Sequence, residues 1–457
     1  MAPDDETPTR TLSYVQAILE EMNRFAQSPE TFFQRWNSGD EPGMSSLYIP
    51  GRGAIPITAK AQGQFEALTR HAMKQVGGAA ARYDQDAVVQ AIKARFAQLI
   101  VNAGTVSTKD AEEMINNGIA DAAGDHHQLT HFVPVTAVVH ETPSEFKLGP
   151  VDFLLQRRFQ ELYGPELADV LHDRGVSQDL ADGIHRFFGN YRWVAAVTVS
   201  PCSPKTSQMR ARQAVQQALD AVKLMIGQAR GRLIRTAYEP GHPAATGDLA
   251  RASIGKFHIS MSERLQDAVL DDGWHSVLAG TPIWKLLSAL LEEQHSSWDP
   301  LVDPKQRFLD ALAWYGDAVS EPDGQAQVLK FWTALERLVA FTNSDPVERR
   351  VAILVSVRMN QFPDNFKQFQ KSYKYRCNII HGDVAYHGYD EGKSQRIGSE
   401  TRKALLGYLK LLDTLQRAGP LTKAVLLSKF KELEALSREE DRKASAAPKP
   451  TGNGQAR

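Results

Sequence analysis

The segments of this chain that favour β-strands all precede residue 262, and the remainder of the chain favours helices. Segments rich in Val, Phe and Thr predict strands at residues 129–139, 146–155, 191–200 and 255–261. Apolar residues spaced three and four apart predict helices at residues 12–25, 84–100 and 207–226 of the same region. We therefore expect an α+β domain with a small sheet in the first part of the chain.

After residue 262 the hydrophobic pattern is helical, and Pro and Gly mark the ends of the helices. Such stops occur at Pro322, Gly324, Pro346, Pro363 and Pro420. Helices are predicted at residues 282–296, 304–319, 325–342, 346–360, 364–381, 399–417 and 421–436. Their short connections predict an all-α helical bundle. The expected organisation is a disordered start at residues 1–10, an α+β domain at 11–280, the bundle at 281–436 and a disordered tail at 437–457.

Composition limits the possible partners and compartments. The formal net charge of the 457 residues is −1, so any contact with RNA must come from a local patch. Residues 345–381 hold seven Lys or Arg against three acidic residues, which is such a patch or a solvated helix face. Cys202 and Cys377 are the only cysteines, and the aliphatic runs are far shorter than a membrane span. We expect a cytoplasmic protein without disulfides that does not contact membranes.

The segment with the clearest chemical content is Arg376 to His381, at the end of a predicted helix. A permanently charged guanidinium and an imidazole that titrates near neutral pH suit RNA cleavage without a metal. Two other Arg–His pairs have similar spacing, at positions 235/242 and 251/258, but they lie in segments broken by glycine and proline or patterned as strands. Gly382 is a typical residue for the helix C-terminus, so His381 should lie in the last turn.

A helical projection of the same segment predicts a packing seam for a partner helix. The seam is formed by Phe366, Phe369, Tyr373, Cys377 and Ile380. The arginine lies roughly 60° to one side of this seam and the histidine roughly 80° to the other. On geometry alone, the arrangement is more typical of ordinary polar residues that flank a buried face.

Two short motifs in the predicted bundle resemble those of the HEPN superfamily, specifically its Apea-like domains. Residues 331–336 (Phe-Trp-Thr-Ala-Leu-Glu) look like the family's aromatic-Trp-x-Ala-Leu-Glu helix. Residues 376–382 look like its Arg-Asn-x-Ile-x-His-Gly signature, with Cys377 where the family often has Asn, and Asn378 one position later. The resemblance covers roughly residues 300–420.

The resemblance implies a metal-independent endoribonuclease that acts as a homodimer through its helical bundle and needs no cofactor. His381 would act as general base or acid at the ribose 2′-OH, and Arg376 would stabilise charge on the phosphate. The products would carry a 2′,3′-cyclic phosphate and a 5′-OH. Bacterial defence or growth arrest is the setting that the resemblance suggests. The alternative is a catalytically silent HEPN module that binds a protein or nucleotide partner.

Further residues are candidates for supporting roles. Glu336 lies four residues after Trp332 on one helix face and could orient the arginine, and Asn378 could support the histidine. The RNA-binding candidates are Lys371, Lys374, Arg349 and Arg350, although the last two could instead form a solvated first helical turn.

A metal site is the remaining possibility, and we do not predict one. Four histidines lie close together in sequence, at positions 126, 127, 131 and 140. They complete no recognised ligand spacing, and two of them fall at opposite ends of a predicted strand.

Overall fold

The structure is a computed structural model, and its two compact units are described separately. It describes residues 7–28, 30, 34, 45–49, 53–102, 106–124, 126–139, 141–173, 177–237, 246–251, 257–262, 269–271, 273–383 and 391–446. One unit comprises Met1–Leu129 with Val199–Arg210, and the other comprises Thr130–Thr198 with Ala211–Arg457. Within the described ranges, every helix is too short or too polar to span a lipid bilayer.

Helices and a hairpin build the described part of the first unit. They are α1 (Thr7–Gln27), β1 (Ser45–Ile49), β2 (Gly53–Ile57), α2 (Ala59–Val76), α3 (Gln85–Asn102) and α4 (Thr108–Ala123). Thr58 caps α2, and Ser107 forms a capping box with Asp110 at the start of α4. The core includes Phe65 and Phe96, whose rings meet edge to face with centroids 5.1 Å apart. The helices predicted at residues 12–25 and 84–100 are confirmed as α1 and α3.

The sheet has five strands in the order β4-β5-β6-β3-β7. They are β3 (His127–Thr136), β4 (Glu145–Leu148), β5 (Val151–Leu155), β6 (Trp193–Cys202) and β7 (Arg235–Thr236). A separate hairpin pairs β8 (Thr246–Arg251) with β9 (Phe257–Ser262). The single strand predicted at residues 146–155 is wrong, because the chain turns at Gly149, whose φ is 59°.

Helices account for most of the remaining described chain. Those between and after the strands are α5 (Gln156–Asp173), α6 (Gln178–Gly189), α7 (Pro204–Ile226), α8 (Gln228–Gly231) and α9 (Trp274–Ala279). A longer series follows, with α10 (Pro282–Ser296), α11 (Asp303–Ser320), α12 (Gly324–Val339), α13 (Val347–Val355), α14 (Phe362–Ile380), α15 (Glu391–Ala418) and α16 (Lys423–Ala446). Thr281 and Asp323 cap α10 and α12 through their side chains. The broad α+β layout, a small antiparallel sheet with a run of helices, is confirmed.

Several sequence-based boundaries differ from the structure. α15 begins at Glu391, eight residues before the predicted start at residue 399. α16 continues to Ala446, so residues 437–446 of the expected tail are helical, and Ser437 is fully buried. The predicted helix 346–360 ends at Val355 and is followed by a 3-10 turn, Met359–Gln361. Residues 7–10 of the expected disordered start already belong to α1.

The two compact units do not divide near residue 280, because the sheet packs on the helices that follow it. The Gly149 amide donates to Ser288 Oγ of α10 at 2.9 Å. A Cβ at Gly149 would lie 2.6 Å from Leu291 Cβ, so only glycine fits this contact. Lys223 of α7 is buried and donates to Asp220 Oδ1 and to the Gly316 carbonyl of α11, at 3.1 and 3.3 Å.

A buried arginine joins α13 to α16. Arg350 is 4% exposed and donates to Glu434 Oε1 at 2.7 Å, to Asp345 Oδ1 at 3.0 Å and to the Val339 carbonyl at 2.8 Å. Burial acts to raise the pKa of Asp345. Hydrogen bonds from the Phe341 amide and from the Arg350 side chain outweigh burial, so that pKa lies below its ordinary value. The guanidinium therefore compensates two carboxylates that have little access to water.

We predict that Arg350→Ala lowers the free energy of unfolding by about 3–5 kcal/mol, because it removes the buried cation that two carboxylates share. Urea denaturation of the full chain would measure the change. Arg438→Ala is the matched control, since Arg438 contacts the same Glu434 at 3.7 Å but is 60% exposed. It should cost less than about 1 kcal/mol. Equal effects of the two substitutions would contradict the assignment of Arg350 as the compensating charge.

Candidate functional site

The helix that carries the Arg376–His381 segment, α14, ends where the sequence predicts. The Gly382 amide donates to the Ile379 carbonyl at 3.1 Å, and the Asp383 amide donates to the Asn378 carbonyl at 2.8 Å. These two hydrogen bonds form a Schellman motif, and Gly382 has the positive φ, 76°, that the motif requires. His381 is consequently the C-cap residue, directly after Ile380 at the end of α14, and its side chain is exposed.

The guanidinium of Arg376 pairs with the carboxylate of Glu336 on α12. Arg376 Nη2 lies 3.4 Å from Glu336 Oε1, and Trp332 Nε1 donates to the same oxygen at 2.9 Å. The Trp332 ring is buried and lies 5.4 Å from the ring of Tyr373. The structure thus brings together three of the residues selected from the sequence, and a fixed indole orients the carboxylate that holds the arginine.

Arg376 and His381 do not form a pair within one chain. Five helical residues separate them by about 140° around the axis. No hydrogen bond or ion pair joins them among the residues whose placement is known. The histidine lies only about 20° from Lys374 and about 60° from Asn378 in the same projection. The two candidate catalytic groups therefore belong to different faces of α14.

The predicted packing seam of α14 is only partly correct. Phe369 is buried within the fold, but Tyr373 and Ile380 are 39% and 51% exposed. The buried side of the helix instead passes through Ser372, Tyr375 and Ile379. The burial of a serine in this row is explained by its hydrogen bond to Glu400 Oε2, at 3.2 Å. The C-terminal part of the predicted seam is thus surface, next to Arg376.

Cys377 contacts Tyr373, one helical turn earlier. Its hydrogen bond with Tyr373 is the main reason that the pKa of that phenol is raised. This contact occupies Cys377 on the exposed side of α14, whereas Asn378 faces α15. Asn378 therefore lies on a different side of α14 from Cys377, the residue directly after Arg376, and does not replace it.

The RNA-binding candidates separate into two groups. Lys371 and Lys374 are exposed on α14. Arg350 is buried in the ion-pair cluster described above. Arg349 donates to Ser437 Oγ and Asp441 Oδ2 of α16 at 3.0 and 2.9 Å, and its side chain is 17% exposed. These contacts correct both earlier interpretations of the two arginines. Their N–H groups bind other parts of the fold, so the side chains neither form a solvated turn nor face outward to bind phosphates.

An open cleft lies between α14 and α15, with a volume of about 280 Å³. Its lining consists of Gln368, Lys371, Ser372, Lys374, Tyr375, Asn378, Lys393, Arg396 and Ile397. Four of these side chains are cationic and none is acidic. The sequence indicated only the two lysines of α14, because the other two cations lie before the predicted start of α15.

The carboxylate of Glu400 is buried beside this cleft. Burial raises the pKa of Glu400, although hydrogen bonds from Ser372 and Gln368 and the charge of Arg396 oppose the shift. Because the folded-state pKa is raised, its contribution to stability is favourable below the unfolded-state pKa and is lost as pH rises through the folded-state pKa. An ionised Glu400 therefore lowers the stability of the fold at neutral pH.

Three of the four neighbouring histidines, at positions 126, 127 and 131, lie within the described residues. In the part of the chain that the structure describes, no group of three or more His, Cys, Asp or Glu side chains is placed to hold a metal ion. His126 packs against Tyr83, with ring centroids 4.6 Å apart, and burial lowers the pKa of His131. His140 lies outside the described residues. These contacts assign His126 to packing rather than to metal binding.

We predict that Glu400→Gln stabilises the protein at pH 7, because Gln keeps an oxygen for Ser372 but carries no buried charge. The gain should shrink as the pH falls toward the ordinary range of a glutamate, where the wild-type side chain is protonated. Thermal unfolding at several pH values would measure it. Glu439→Gln, at an exposed position of α16, should change stability by less than about 0.5 kcal/mol at any pH. A gain at Glu400 that does not depend on pH would contradict the prediction.

Comparisons with other proteins add no further constraint on the site. No protein-family model, no curated protein and no solved structure matched this chain. The functional interpretation consequently depends on the geometry of α12, α14 and α15.

Proposed function

We propose that this chain is a metal-independent endoribonuclease of the HEPN type, with Arg376 and His381 as its catalytic residues. The observation that carries the proposal is the end of α14. An exposed histidine in the last helical turn follows an arginine that is oriented by Glu336, and this carboxylate is itself held by Trp332. A general acid–base and a fixed cation are the two groups that cleavage of RNA without a metal requires.

The proposed reaction uses the RNA's own 2′-hydroxyl as the nucleophile. The neutral imidazole of His381 accepts the proton of the 2′-OH while the 2′-oxygen forms a bond to phosphorus. The bond between phosphorus and the 5′-oxygen breaks, and an imidazolium returns a proton to that oxygen. Arg376 stabilises the charge on the non-bridging oxygens. The products are a 2′,3′-cyclic phosphate and a 5′-OH, with no net gain or loss of protons.

A homodimer would bring the two catalytic groups to one phosphate. Arg376 and His381 diverge by about 140° on the helix of a single copy. The surface next to Arg376 includes the exposed apolar side chains of Tyr373 and Ile380. A second copy that covers this surface would bury both side chains and place its own α14 opposite the first. We therefore include dimerisation through the helical bundle in the proposal.

The proposed biological setting is bacterial defence or growth arrest in the cytoplasm. It follows from the resemblance to HEPN proteins in the Trp332–Glu336 and Arg376–Gly382 segments. The residues before the bundle would then sense a trigger or position the substrate. The absence of a bilayer-spanning helix from the described ranges is compatible with this setting.

A second candidate is a silent HEPN module that binds a protein or nucleotide partner. The observation in its favour is the contact of Cys377 with Tyr373, since Cys377 stands where the family often has an asparagine. Asn378 faces the cleft and does not replace it. A ribonuclease test separates the two candidates.

We predict that the wild-type chain, when expressed in bacteria, arrests growth and produces RNA fragments with 2′,3′-cyclic phosphate ends. Arg376→Ala and His381→Ala should each lower the rate of cleavage by about 10²-fold or more, because each removes a group that acts on the reacting atoms. The rate would be measured with purified protein on a labelled RNA in the presence of EDTA.

Two substitutions serve as matched controls for the cleavage assay. His127→Ala and Arg438→Ala remove exposed side chains of the same types and should leave the rate unchanged. Circular dichroism and sedimentation would establish that all variants fold and associate as the wild type does. RNA that stays intact in the presence of the wild-type dimer would sink the proposal and favour the silent module.

A further inference from the structure

The cleft between α14 and α15 concentrates positive charge, although the net charge of the whole chain is close to zero. Lys371 and Lys374 contribute from α14, and Lys393 and Arg396 contribute from α15. All four side chains are exposed, and no carboxylate lines the cleft among the side chains that the structure describes. The full sequence has a net charge of −1, so the molecule as a whole does not attract anions. The positive charge of this cleft would attract an anion locally.

A buried hydroxyl at the same place lacks a partner. Tyr375 lines the cleft and is 9% exposed. Its hydroxyl makes no hydrogen bond with any residue in the described part of the chain. The ammonium of Lys393 lies 4.6 Å from the centre of the Tyr375 ring. A buried hydroxyl without a partner is costly unless a ligand supplies one, so the cleft is suited to an oxygen-rich anion.

The cleft leads along α14 toward His381. Lys371, Lys374 and Asn378 lie on one face of the helix, and the rise from the first to the last is about 10 Å. His381 follows Asn378 by one helical turn and lies close to Lys374 in projection. An extended anionic chain held by the cations would therefore run toward the exposed imidazole.

We propose that the cleft binds the phosphate backbone of single-stranded RNA. The four cations contact phosphates, and the Tyr375 hydroxyl donates to a phosphate or ribose oxygen. The volume of the cleft, about 280 Å³, suits a single strand. The inference rests on the proposed function in one respect, which is that the bound strand is the substrate that reaches His381. Lys393, Arg396 and Tyr375 are then substrate-positioning residues.

The first experiment measures RNA binding without cleavage. Full-length protein carrying His381→Ala is titrated against a short, unstructured, fluorescein-labelled RNA at several salt concentrations, and the anisotropy is recorded. The double substitution Lys393→Ala/Arg396→Ala should lower the slope of log K against log salt by about 1.4, because single strands release about 0.7 counterion for each phosphate contact. Affinity at moderate salt should fall by about tenfold.

The matched control removes the same two charge types from the other end of α15. Lys410 and Arg417 are both exposed, and neither lines the cleft. Lys410→Ala/Arg417→Ala should leave the slope and the affinity as they are in the His381→Ala parent. Equal losses in the two double variants would overturn the proposal, because they would show that binding depends on net charge alone.

Tyr375→Phe tests the hydroxyl separately from charge. The substitution keeps the ring under Lys393 and removes only the unpartnered oxygen. Affinity for RNA should fall by about tenfold, which corresponds to one hydrogen bond to a charged group, while the salt slope stays the same. The thermal stability of the free protein should not decrease. Unchanged affinity would remove Tyr375 from the site.

Competition identifies the class of ligand. Unlabelled RNA should displace the probe, whereas inorganic phosphate and ATP at the same phosphate concentration should not. Displacement by ATP as strong as that by RNA would overturn the strand proposal and identify a nucleotide site. Failure of the parent protein to bind RNA at low salt would also overturn it.

The cleavage assay distinguishes failure of this inference from failure of the proposed function. RNA binding that depends on the cleft, without cleavage by the wild type, leaves the binding site valid and refutes the ribonuclease. Cleavage that depends on His381 but is unaffected by Lys393→Ala/Arg396→Ala refutes the cleft alone. With both proposals correct, the double variant raises KM by about tenfold and leaves kcat within about twofold, since its residues do not touch the reacting atoms.

Discussion

Two adjacent arginines of α13 hold the first turns of α14, the helix with the candidate site, and α16 against α13. Arg350 is buried between Glu434 and Asp345 and so holds α13 against α16. The guanidinium of Arg349 stacks over Phe366 at 4.5 Å and also over Phe362, at the start of α14, while it binds Asp441 of α16. α13, α14 and α16 are therefore fixed to one another by charges that have little access to water. Everything further along α14, including Arg376 and His381, depends on this junction.

The helices after residue 262 could be predicted because their periodicity and their stops agree. Pro and Gly ended the predicted helices close to where capping residues such as Thr281 and Asp323 begin the observed ones. The hairpin at Gly149 was missed although the apolar alternation changes phase between Leu148 and Val151, because both segments have strand composition and only one glycine and one proline separate them. The burial of Arg350 was equally inaccessible, since an arginine that follows a proline stop reads as surface until Glu434, 84 positions away, is placed beside it.

The candidate site was predictable on one face of α14 and not on the other. The pairing of Arg376 with Glu336 follows from two short motifs, and Gly382 marks the helix end from local chemistry alone. The cleft needed the structure, because half of its charge comes from the first turns of α15. The charge surplus of residues 345–381 suggested a basic patch, but it did not show which cations belong to that patch. A charge count does not distinguish the exposed Lys371 from the buried Arg350.

A helix that uses both faces must be fixed in rotation as well as in position. A shift of one residue would turn α14 by about 100° and would exchange the side chains that face α12 and α15. Two polar contacts prevent this, Trp332–Glu336–Arg376 on one side and Ser372–Glu400 on the other. The second contact keeps a carboxylate buried that lowers stability at neutral pH. Glu400 lies beside Arg396 but is not among the described residues that line the cleft. The hydrogen bond that fixes the rotation of α14 against α15 thus also holds this carboxylate behind the lining of the cleft, where the four described cations are the charged side chains.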